Sequence, residues 1–449
     1  MIERMEDKQM ARNESFDEEM DRREYRRKRR IRNQIIAYAV LSVILIGIIA
    51  GGIIGVRNIM QVISDKKHTE ELQKQLEELS ENEEEPAVVE APAESAEPVT
   101  EVDYLDEVVN SSIAAMPLED KVAGLFIITP EALTDTDVVI RAGDTTKEKI
   151  GENAVGGLIY FTKNLKDSGQ LTEMLQNTKS YSKYPMFLGV DEEGGKVSRV
   201  AEAGLADNVG PMGEIGAAND VARAQEAGAA IGGYLSGYGF NLDFAPVADV
   251  VTDGNASIGD RSFGSDVDLV SPMVAAAVAG LQDSGVSACL KHFPGLGSVS
   301  EDTHDGMAVS EKTLEEFQAS DFPAFQAGID AGVEFVMVSH LSVPNITGDN
   351  TPCSLSPQMI TDVLRGQLGY QGIVITDAMD MTAITDYYTD DEAAVKALQA
   401  GADMILMPEN YQTAYQGVLD AVNNGILTEE RIDESLRRIY RVKKKNTME

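Results

Sequence analysis

Residues 287–295 read Ser287-Ala288-Cys289-Leu290-Lys291-His292-Phe293-Pro294-Gly295, a short run of small and apolar residues that stops at two basic side chains and a Pro-Gly pair. A strand covered on both faces has this character, because neither face meets water and no polar alternation is needed. Working outward, seven similar runs recur at helix-length intervals: Gly124–Thr129, Val155–Phe161, Met186–Val190, Asn241–Ala245, Phe335–His340, Gly372–Asp377 and Asp403–Met407. Alternating strand and helix of this kind over residues 102–449 predicts a (β/α)8 TIM-type barrel of the α/β class. An Ala/Gly-rich stretch near 219–237 predicts a helix that packs closely because its side chains are small.

Barrels of this class build their sites at the C-terminal ends of the strands. Asp191, Lys291-His292, His340 and Asp377 each stand at or just past such an end. One polar residue there is often only a helix cap, but several converging on one face point to chemistry. Beyond the central run, a Gly- and Ser-containing stretch delivers Asp302-Thr303-His304, so two of the four histidines fall in a single window. An imidazole two residues from a carboxylate is suited to acid/base work near neutral pH.

These segments resemble the β-N-acetylhexosaminidases of glycoside hydrolase family 3, whose members carry Lys-His-Phe-Pro-Gly-His-Gly followed by an Asp-x-His loop. Asp191-Glu192-Glu193-Gly194-Gly195, Asn241-Leu242-Asp243-Phe244-Ala245-Pro246-Val247-Ala248-Asp249-Val250, Gly259-Asp260-Arg261-Ser262-Phe263-Gly264 and Thr376-Asp377-Ala378-Met379-Asp380-Met381 follow the same pattern in the same order. The last of these matches the hexosaminidase branch rather than the Ser-Asp-Trp of the family's β-glucosidases. Leu296 stands where the family usually has a second His, Ser298 where it often has Asp, and Asn255-Ala256 where Asn-Pro is common.

The resemblance implies a retaining exo-β-N-acetylglucosaminidase acting on terminal β-linked N-acetylglucosamine of peptidoglycan fragments. Asp377 would be the nucleophile, with Asp380 three residues on as its local rival. Asp302 would orient His304, which protonates the departing sugar and later takes a proton from water. Asp191 would form the pocket floor, and Arg199, Arg261, Lys291 and His292 would supply donors to the sugar. His340 would line the pocket or hold the loop. No metal-ligand spacing or phosphate-cradling Gly loop is present, so no cofactor is expected. A β-glucosidase or glycoside phosphorylase of the same fold is an alternative, since a His donor presents no carboxylate to an incoming anion. A non-catalytic surface sugar-binding protein is another, although such a module would need no nucleophile.

Composition bounds the partners. Lys+Arg total 38 against 75 Asp+Glu, a net charge of −37 that disfavours nucleic acid. The absence of Trp favours a small pocket for a chain end over a long stacking groove. Cys289 sits in the apolar run and reads as a small core residue, with a disulfide to Cys353 left open.

Residues 35–56 carry no charge and extend roughly 33 Å as a helix, enough to span a bilayer. Basic residues crowd positions 22–32 before it, whereas only Arg57 follows closely. The asymmetry places a cytoplasmic tail at 1–34, a single membrane span at 35–56, and the remainder outside the cell. Residues 57–101 read as a helical stalk followed by a Pro/Glu/Ala-rich linker, and 102–449 as the catalytic barrel.

Overall fold

The computed structural model describes residues 101–448, apart from 253, 254, 256 and 300–305, all within one compact unit, Glu97–Glu449. The expected tail, membrane span and most of the linker therefore lie outside the described residues. Among the described residues no helix is long and apolar enough to cross a membrane.

Eight parallel strands close into a barrel: β1 Phe126–Ile128, β2 Gly157–Tyr160, β3 Phe187–Val190, β4 Leu242–Asp243, β5 Ser287–Phe293, β6 Phe335–Val338, β7 Ile373–Ala378 and β8 Met404–Leu406. Each lies within or overlaps a run expected from the sequence. Every strand residue is buried except Asp377 and Ala378, which is why the runs read as uninterrupted apolar segments. Phe187 of β3 meets Phe335 of β6 edge to face at 5.0 Å, so large side chains fill the barrel.

At the start of β4 the side chain of Asn241 reinforces the pairing that its own N–H makes with Leu188 O at 3.1 Å. Its Oδ1 accepts from Leu188 N at 2.7 Å and its Nδ2 donates to Met186 O at 3.1 Å. The Ala/Gly-rich segment forms the helix Val221–Tyr238 against the helix Val267–Asp283. A Cβ on Gly228 would lie 2.5 Å from Ala277 O, so only glycine allows this approach.

The long C-terminal helix Glu429–Met448 closes the barrel at the N-terminal ends of the strands. Asp403, just before β8, is fully buried there and accepts from Arg365 Nη2 at 2.6 Å, Arg438 Nη1 at 2.9 Å and Ser435 Oγ at 2.8 Å. Buried charge of this kind is tolerable only when so fully paired. Cys289 and Cys353 are both buried and free, so the disulfide left open by the sequence does not form.

Candidate active site

The chain leaves β3 at Asp191 and turns back on itself in a hairpin, Glu192–Gly194 against Val197–Ser198. Gly194 and Gly195 have φ of 92° and 62°, a region that side chains disfavour, and a Cβ on Gly194 would lie 2.7 Å from Gly210 O. The hairpin sends its adjacent glutamates to different partners, as strand alternation requires. Glu192 takes N–H groups from Val200 at 2.7 Å and Ala201 at 3.0 Å and the hydroxyl of Tyr234 at 2.8 Å. It thereby caps the short helix that begins at Arg199.

Glu193 meets two cations. Arg261 grips it with two hydrogen bonds of 2.7 Å, and Lys291 Nζ reaches it at 2.6 Å. The same ammonium donates to Asp191 Oδ1 at 2.8 Å. Burial works against a charged Glu193, but Lys291 and Arg261 overcome it and pull its pKa down to about 2. Burial also opposes the Lys291 charge, yet Asp191 and Glu193 hold its pKa above the usual lysine value. An ammonium has three N–H groups, so one remains after these two contacts. Beside it, Asp191 keeps 17% of its side chain exposed while Lys291 keeps 3%. A donor and an acceptor side by side at the strand ends suit neighbouring hydroxyls.

His292 follows Lys291 and is fixed by Asp249, whose Oδ2 accepts from His292 Nδ1 at 2.7 Å and His292 N at 3.2 Å. The carboxylate partner puts the proton on Nδ1 and leaves Nε2 as the free nitrogen. Asp249 Oδ1 accepts from Leu296 N at 2.6 Å. Leu296 thus serves through its backbone while its side chain joins the core, which accommodates the departure from the family's second His. Asn255 holds the same turn, donating to Leu296 O at 2.7 Å and Val299 O at 2.8 Å.

Asp377 ends β7 half-buried, with Oδ1 accepting from Ala378 N at 2.8 Å. Burial alone would raise its pKa, but the His292 and His340 imidazoles, the Ala378 N–H and Lys291 outweigh it and hold the carboxyl below the ordinary value. At neutral pH this group is a carboxylate.

The structure therefore brings Asp191, Lys291, His292, Arg261 and Asp377 to one end of the barrel. His340 stands behind them, fully buried, with Nδ1 on Ser354 Oγ at 2.8 Å and Nε2 donating to Ala378 O at 2.9 Å. It holds the backbone next to Asp377, with both ring nitrogens engaged inside the protein. Arg261 spends two N–H groups on Glu193. Arg199 lies 5.8 Å above the Phe161 ring, and its buried Nε has no hydrogen-bond partner among the described residues. Asp380, the local rival of Asp377, is exposed in the turn after β7. Asp302 and His304 lie outside the described residues. Glu193 and Asp249 were assigned no sugar contact from the sequence; both lie in motifs quoted above, but nothing local in the sequence marks their distant partners. Among the described residues no group of His, Cys, Asp or Glu is arranged to hold a metal ion.

Known proteins share this sequence pattern and this fold. The sequence profile of the glycosyl hydrolase family 3 N terminal domain matches residues 117–442. A beta-hexosaminidase of Stenotrophomonas maltophilia is 36% identical over 280 residues, which cover 61% of this chain and 82% of that protein. A family 3 β-N-acetylglucosaminidase from Paenibacillus superposes with a TM-score of 0.68 at 36% identity, over 74% of this chain and 63% of that one. The β-N-acetylhexosaminidase of Beutenbergia cavernae superposes with a TM-score of 0.66 at 29% identity, over 74% of this chain and 99% of the other.

The clamp has a pH signature. Because the pKa of Glu193 falls from an ordinary 4.5 to about 2 on folding, its ionised form stabilises the protein fully above that ordinary value. The contribution, about 3 kcal/mol, is lost as the pH falls through this window. Glu193→Gln should flatten the decline in unfolding free energy between about pH 5 and pH 3, measured by urea denaturation. An unchanged slope would contradict the assignment.

Proposed function

The chain belongs to glycoside hydrolase family 3, and from that premise we propose that it is a retaining exo-β-N-acetylglucosaminidase acting on terminal β-linked N-acetylglucosamine, drawn from peptidoglycan fragments. The observation that carries this reading is the ionised Asp377 at the mouth of the barrel, on the same face as the Asp191–Lys291 pair. Retention needs such a carboxylate to attack the anomeric carbon and form a glycosyl-enzyme. The Asp191–Lys291 pair fixes ring hydroxyls so that this carbon meets Asp377.

The leaving oxygen needs a proton, and the nearby glutamates do not fit that task. Glu193 is held ionised by two cations, and Glu192 is fully buried with three donors upon it. His304, oriented by Asp302, then acts as the acid in the first step and the base in the second. The acetamido-sugar specificity is supported by the activities of the Paenibacillus β-N-acetylglucosaminidase and the Beutenbergia β-N-acetylhexosaminidase, and by Ala378-Met379-Asp380-Met381 after the nucleophile. The segment 35–56 anchors the enzyme in the membrane with the barrel outside, as the basic residues at 22–32 indicate.

Nitrophenyl N-acetyl-β-glucosaminide should be cleaved at least about tenfold faster than the matching glucoside. Asp377→Ala should abolish activity on every substrate. A nitrophenolate departs without protonation but a sugar alkoxide does not, so His304→Ala should lose far more kcat/KM on a disaccharide than on the aryl glycoside. Equal losses would remove His304 from the role of leaving-group acid.

Protease added to intact cells should cut within residues 81–101 and release active enzyme. Protection of the barrel until lysis would reverse the topology.

A further inference from the structure

Asp243 is the last residue of β4, in register with Val190 of β3 and Ala288 of β5. It therefore stands between the strand that ends at Asp191 and the strand that delivers Lys291. Its side chain is fully buried. Oδ1 accepts from the backbone N–H of Glu192 at 2.9 Å, the peptide that joins Asp191 to the hairpin. Oδ2 has no hydrogen-bond partner among the described residues.

The charged and titratable groups that face Asp243 are Glu192 and Asp191 from the β3 hairpin, Lys291 and Cys289 from β5, and Tyr234 from the helix Val221–Tyr238. Only Lys291 is a cation, and its ammonium is already shared between Asp191 and Glu193. A charged Asp243 would be a surplus buried anion, which is costly, whereas a carboxylic acid is not. Burial, with the charges of Glu192 and Asp191, raises its pKa well above the ordinary aspartate value against the opposing Glu192 N–H and Lys291.

We propose that Asp243 is a positioning residue of the active site, an uncharged carboxylic acid that holds the Asp191–Glu193 backbone against Lys291 through the Glu192 N–H. The inference rests on reading Asp191 and Lys291 as the sugar clamp. It extends that reading to a residue the sugar never touches.

Two variants separate the parts. Asp243→Asn keeps the carbonyl acceptor and the neutral charge, so its KM and kcat should stay within about threefold of the parent's. An acid that is neutral when folded and ionised when unfolded costs stability as the pH rises, so the Asn variant should gain in urea midpoint over the parent from pH 4 to pH 8. Asp243→Leu removes the acceptor and loosens the clamp, so KM should rise at least about tenfold while kcat moves much less. The proposal is overturned if the Asn variant loses as much activity as the Leu variant, or if its stability gain does not grow with pH. It is equally overturned if a folded Leu variant keeps the parent KM. Should the Leu variant not fold, the Asn variant's pH series decides. Asp191→Ala run alongside distinguishes the two readings: an unchanged KM there refutes the sugar clamp itself.

Discussion

Lys291 carries its charge inside the barrel, and that is possible only because Asp191 and Glu193 meet the same ammonium at 2.8 and 2.6 Å. Taking three charges out of water costs several kcal/mol per ion, which close contact and further hydrogen bonds must offset. Arg261 closes the balance by pairing with both oxygens of Glu193. The outcome is a rigid group of charges with one side open: the partly exposed Asp191 and the remaining N–H of Lys291. That opening is what a sugar hydroxyl would meet, and its rigidity lowers the entropy lost on binding.

The barrel explains why these residues meet at all. Asp191 and Lys291 are 100 positions apart, but only β4 separates β3 from β5. The two ends rise on the same face because parallel strands all point the same way. Asp377 arrives from β7, and its charge is set by what β5 and β6 bring near it, His292 and Lys291 from one and His340 from beyond the other. Asp249 and Ser354 fix the two imidazoles from behind. The proposed substrate contacts and the residues that support them therefore form one connected network.

The barrel was legible in the sequence because strands buried on both faces must be apolar along their whole length, and the chain spaces them by helices. The positions of Asp191, Lys291, His292 and Asp377 were legible for a related reason: a charged side chain that ends an apolar run has only the strand terminus to occupy. Glu193, Asp249 and Asp243 were not. Each is an acidic residue in a plausible motif, but its meaning lies in a partner brought near by folding, Lys291 for Glu193 and His292 for Asp249. His340 was placed at the end of its strand, but strand position does not reveal that Ala378 O and Ser354 Oγ engage its two ring nitrogens. The side-chain bonds of Asn241 to Leu188 and Met186 were likewise hidden, since nothing local shows which backbone groups lie within its reach.

The central claim is that Asp377 forms a covalent bond to the sugar. A 5-fluoro-N-acetylglucosaminyl fluoride slows breakdown of such an intermediate more than its formation, so the trapped enzyme can be digested and its labelled peptide sequenced by mass spectrometry. The account predicts one sugar per chain, attached at Asp377, with activity returning as the adduct hydrolyses. A label on another residue, or turnover with no adduct and an inverted product, would contradict it.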